Sequence, residues 1–81
     1  MNIYRAKFTA VCPNNKKIIL YTLEITTDQK IMVEEIMEAC LKISCGYHED
    51  IAESLYASFG SKQVLTATHH GVQIETRRGF D

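Results

Sequence analysis

YRAKFTAVCPNNKKIILYTLEI, residues 4–25, reads as two alternating runs around one tight turn. Pro13, the single proline, fixes φ, and Asn14 and Asn15 tolerate the left-handed region. A loop over residues 13–16 sets Cys12 opposite Lys17. Counting outward, Ala10 faces Ile19, Phe8 faces Tyr21, Ala6 faces Leu23 and Tyr4 faces Ile25. Strand side chains alternate with period 2, so this apolar set lies on one face. A one-residue slip would turn one strand's whole set to the other face, so the pattern selects this register. The opposite face pairs Arg5 with Glu24 and Lys7 with Thr22, as a solvated face should. Near the turn it pairs Val11 with Ile18 and Thr9 with Leu20, which is too apolar for water.

A second hairpin closes the chain. KQVLTATHHGVQIETRR, residues 62–78, breaks at His70-Gly71, a two-residue turn. His69 then faces Val72, with Leu65, Ala67, Val72 and Ile74 inward and His69 at their rim. Between the hairpins, Val33, Ile36, Met37, Cys40 and Leu41 recur at helical spacing. Gly46 is placed to stop that helix. Ile51, Ala52, Leu55, Tyr56 and Phe59 form the stripe of a second helix ending at Gly60. Glu34, Glu35, Glu49 and Asp50 fall in first turns, where the helix dipole favours negative charge. The predicted fold is α+β and two-layered: a four-stranded antiparallel sheet with two helices on one face, in the order ββααββ. Residues 1–81 form one domain.

Bulk composition excludes more than it selects. A hydrophobic content of 46% argues for a packed core, and a net charge of −1 singles out neither nucleic acid nor membrane. No apolar run approaches a membrane span of roughly 20 residues, and residues 1–10 lack a signal peptide's apolar stretch. Three cysteines in no repeated framework read as reduced thiols, hence a cytoplasmic protein.

CLKISCGYH, residues 40–48, looks most like chemistry, with Cys40, Cys45 and His48 in close succession. Zinc sites usually bring a second ligand pair from far along the chain. Here the distant candidates are Cys12, His69 and His70, and the adjacent histidines diverge. No metal and no cofactor are expected. Cys40 falls on the buried stripe; Cys45 falls at a helix C-terminus, where the dipole disfavours a thiolate. His48 reads as capping or beginning the second helix. No catalytic residue is named, because no nucleophile-base pair, paired-carboxylate site or phosphate loop can be argued from spacing.

Charge is unevenly spread. The helical stretch carries seven acids against two lysines, net −5, and the hairpins seven bases against three acids, net +4. Glu34, Glu35, Glu38, Glu49, Asp50 and Glu53 are therefore the candidate surface for a protein partner with a basic face. Nucleic acid binding through the basic sheet is disfavoured, since Arg5, Lys7, Arg77 and Arg78 come without exposed aromatics for stacking. Val11, Ile18 and Leu20, with Val64 if the hairpins adjoin suitably, make an outer apolar patch. It predicts a homodimer or a docked partner there.

CPNNKKIILYTLEITTDQKIMVEEI, residues 12–36, resembles the openings of small accessory proteins of phages and other mobile elements, anti-CRISPR inhibitors among them. That resemblance implies a non-enzymatic inhibitor or adaptor that blocks a nucleic-acid-binding surface of a host defence protein. It carries over no site residue. The element order also looks like that of the ring-forming tunnelling-fold pterin enzymes, whose residue signatures are not evident here. This second likeness implies an enzyme or ligand-binding subunit with a site between copies, drawing on His48, His69 or His70.

Overall fold

A computed structural model describes residues 1–80. Its elements are β1 (Asn2–Val11), β2 (Ile18–Thr27), α1 (Val33–Lys42), α2 (His48–Phe59), β3 (Lys62–His69) and β4 (Val72–Arg78). The strands form one antiparallel sheet in the order β1-β2-β3-β4, which leaves β1 and β4 as its edges.

Both hairpins adopt the register that side-chain alternation demands. Phe8 lies opposite Tyr21 and Val11 opposite Ile18, while Ala67 lies opposite Ile74 and His69 opposite Val72. In the first turn the Cys12 amide donates to the Lys17 carbonyl at 2.9 Å, and Asn15 Oδ1 accepts the Lys17 amide at 3.0 Å. In the second, His70 and Gly71 have φ of 51° and 80°, the left-handed pair that matches strand twist in a two-residue hairpin. A contact of 2.6 Å between Asn15 Nδ2 and His70 Nε2 ties the two turns together.

The core joins alternate strand residues to the helices: Phe8, Ala10, Tyr21, Leu23, Ile25, Leu65 and Ala67 with Ile36, Cys40, Ile51, Ala52 and Leu55. Phe8 and Tyr21 stack at 5.2 Å between ring centroids, a cross-strand aromatic pair. Buried Gln63 donates from Nε2 to the carbonyls of Leu55 and Gly60, at 3.1 and 2.7 Å, and so serves the end of α2. At Gly79 a Cβ would stand 1.9 Å from the Ser61 carbonyl oxygen, so only glycine allows this approach.

Several expectations need correction. Val33, Met37 and Leu41 are exposed, and only Ile36 and Cys40 of the expected stripe are buried. Helix α1 packs chiefly on β1, an edge strand, so a narrow stripe suffices to cover it. Cys45 lies beyond α1, which ends at Lys42; it bridges Val11 instead. Gly46 is not the helix stop, because Ile43 closes α1 with its amide on the Cys40 carbonyl at 3.1 Å. The Gly46 amide instead bonds the Val11 carbonyl at 3.2 Å, and the Val11 amide bonds the Ser44 carbonyl at 2.9 Å. These bonds cover one end of the β1 edge. Val72 is exposed at the open end of β4. Val64 pairs with Glu24 and Arg77, well along the sheet from Ile18 and Leu20, and does not extend their patch.

Candidate functional site

The inner face carries polar groups at one end. Tyr21 sits in the middle of β2 opposite Ala67. Two residues further along β3, on the same face, comes His69. Cys12 ends the apolar series of β1, and His48 opens α2 directly above. The rings of Tyr21, His48 and His69 converge, with centroids 5.5 Å apart for Tyr21–His48, 6.1 Å for Tyr21–His69 and 5.8 Å for His48–His69.

His48 begins α2 rather than capping it. Tyr47 holds the cap position, and no side chain caps α2. His48 is 5% exposed, and neither of its ring nitrogens has a hydrogen-bond partner in good geometry; the Leu65 backbone makes at most a poorly aligned contact. The Tyr21 hydroxyl and His69 Nε2 are equally buried and equally unpartnered. Unpaired buried polar atoms are few in native structures, and each costs about 1–3 kcal/mol. Four such atoms in one cluster leave hydrogen-bonding capacity unused within the chain.

The electrostatics follow from burial. Desolvation holds the His48 imidazole below its ordinary value. The Leu65 carbonyl nearby and Glu49 partly oppose that shift, while His69 adds to it. His48 is thus a neutral ring near pH 7, with one donor and one acceptor nitrogen. Burial, then the neighbouring Cys12, pushes the Tyr21 hydroxyl up, so it remains a donor. His48 and His69, with Tyr21 buried beneath them, line a pocket of about 400 Å³ together with Cys12, Tyr47, Glu49, Asp50 and Ile74. Among the described residues, no group of three or more His, Cys, Asp and Glu side chains converges to hold a metal ion.

The residues expected to form a partner surface are placed separately. Glu34, Glu35, Glu38, Glu49, Asp50 and Glu53 are all exposed. Glu35 and Glu38 line a groove between the helices with Ser54 and Ser58, whereas Glu49 and Asp50 frame the histidine pocket. Glu38 pairs with Lys42 at 3.3 Å and Glu53 with Arg78 at 3.1 Å, which reduces their free charge. Val11, Ile18 and Leu20 do come together, in a groove that Leu41 and Ile43 complete. Ile18 and Leu20 are 73% and 56% exposed. The convergence of Tyr21 with both histidines is legible from the sequence only in part: Cys12, Tyr21 and His69 share the inner-face parity, but nothing places His48 over them.

No protein-family model matches the chain, and no curated protein does. Among solved structures, the fold is similar to that of the archaeosine synthase QueF-Like in its apo-form crystal structure. The likeness has a TM-score of 0.65 over 95% of this chain and 89% of that one, at 17% identity. At that identity it establishes the shared fold alone.

Proposed function

We propose that this chain is a tunnelling-fold-like ligand-binding or enzyme subunit whose small-molecule site is the pocket lined by His48 and His69, completed by a second copy. Both helices lie on one face of the sheet in this reading. The observation that carries it is the cluster of four buried, unpartnered polar atoms, three of them on the pocket-lining His48 and His69. The inter-subunit part rests on the edges. Ile74 of β4 lines the pocket, and β4 has no neighbour on its outer side, so a docking chain there would wall the pocket. Val33, Met37 and Leu41, four residues apart on α1, present an apolar stripe for the same assembly. Sedimentation velocity over a range of protein concentrations is expected to give a discrete oligomer that Leu41→Glu shifts toward monomer. A wild-type monomer at every concentration would overturn the inter-subunit site.

A second reading is favoured by the exposure of all six helical acids: a protein-binding inhibitor or adaptor, anti-CRISPR-like in kind, that competes with nucleic acid for a basic groove. Reversing Glu34, Glu35, Glu38, Glu49, Asp50 and Glu53 together is expected to abolish capture of such a partner from bacterial lysate. Reversing fewer should weaken binding and flatten its salt dependence. Stability should move little, because exposed charges contribute about 0–1 kcal/mol each. Partner capture that survives the full reversal removes this reading.

A further inference from the structure

We infer that the histidine pocket takes a small organic cation, a compact arylalkylamine whose ammonium sits between Glu49 and Asp50. The inference rests on reading this pocket as a ligand site and adds the ligand's class. Three features of the wall decide the sign of charge. No lysine or arginine lines the pocket, while two carboxylates stand at its mouth. Among the described residues neither Glu49 nor Asp50 forms an ion pair, so both charges are available. The positive end of α2 offsets only about half an elementary charge, so the field at the mouth is negative.

The interior fits the rest of such a molecule. His48 is buried and unpartnered, and it offers a donor and an acceptor without a positive charge that would repel the ammonium. His69, which lines the pocket, offers at Nε2 a further unmet hydrogen bond for a polar substituent. Cys12 and Ile74 supply apolar wall. Tyr47, half exposed at the mouth, can lay its ring against a cation. An anionic ligand would meet two carboxylates and no cationic side chain.

Three isosteric probes test the class: tyramine, the neutral alcohol tyrosol and the anion para-hydroxyphenylacetate. Binding is read by calorimetry and by the ring nitrogen NMR signals of His48 and His69, using the full chain in its native assembly. Tyramine is expected to bind about tenfold more tightly than tyrosol, as one charge-assisted contact allows, and the anion most weakly. The tyramine preference should fall with salt and vanish in the Glu49→Gln, Asp50→Asn double variant. Equal binding of tyramine and tyrosol, or tightest binding of the anion, overturns the cationic class and leaves the pocket intact as a site. No binding by any probe, with the histidine signals unmoved, overturns the inference and the pocket reading together.

Discussion

Leu23→Ala is expected to lower the unfolding free energy by about 2–5 kcal/mol, the range for truncating a buried leucine. Leu23 is 1% exposed in the second strand of the sheet, between Ala6 on β1 and Leu65 on β3. Ala6 is too short to fill the hole, and the flanking strands are held by ladder hydrogen bonds, so collapse is limited. A chain of 81 residues typically has about 4–12 kcal/mol in total, at roughly 0.05–0.15 per residue. The loss is therefore a large share of the whole. Urea unfolding should show a lower midpoint with an unchanged slope. Leu20→Ala, on the same strand with the opposite parity and 56% exposed, is the control. It should stay within about 0.5 kcal/mol of wild type. Equal losses at the two positions would contradict the assignment of faces.

That contrast is also where the sequence is most legible. Alternation around Pro13 determines which leucine faces inward, because any slip exposes a complete apolar set. The helices are less legible. Val33, Met37 and Leu41 have the spacing of a core stripe, yet the stripe cannot say how much sheet lies under it. Packing against an edge strand buries only Ile36 and Cys40. The end of α1 is misread for a related reason: a glycine suggests a helix stop, but the Gly46 amide is taken by the Val11 carbonyl. Cys45 is carried onto the edge of β1 by the same crossing.

The candidate site is the part least visible in one dimension. A histidine in the first turn of a helix, followed by Glu49 and Asp50, has the pattern of a solvated start, and most such residues are. His48 departs from it because Tyr47 takes the cap and turns the next side chain down onto the Tyr21 ring. Only the packing of α2 on β3 and β4 reveals that. It is on this local break with the polar-outside rule, left uncompensated within the chain, that the proposed pocket rests.

His48→Phe is accordingly expected to make the protein more stable and less able to bind. Replacing an unpartnered buried imidazole with an apolar ring of similar shape removes a desolvation cost of about 1–3 kcal/mol. It also removes the donor and acceptor that face the pocket, so tyramine affinity should be lost. The pH dependence separates this cause from simple repacking. The folded His48 titrates below 6.5, its unfolded reference value, because burial disfavours the cation. As pH falls through 6.5, the unfolded chain takes up a proton that the folded ring refuses. Wild-type stability should therefore decline below that point and level off once the folded ring also protonates. Above it, His48 contributes no slope. Urea unfolding at pH values on either side of 6.5 should show this component in wild type and not in His48→Phe. His48→Leu, smaller and equally apolar, should flatten the slope in the same way even where packing lowers its overall stability. If both variants keep the wild-type acid slope, His48 is not a buried neutral ring, and the pocket loses the residue on which its chemistry depends.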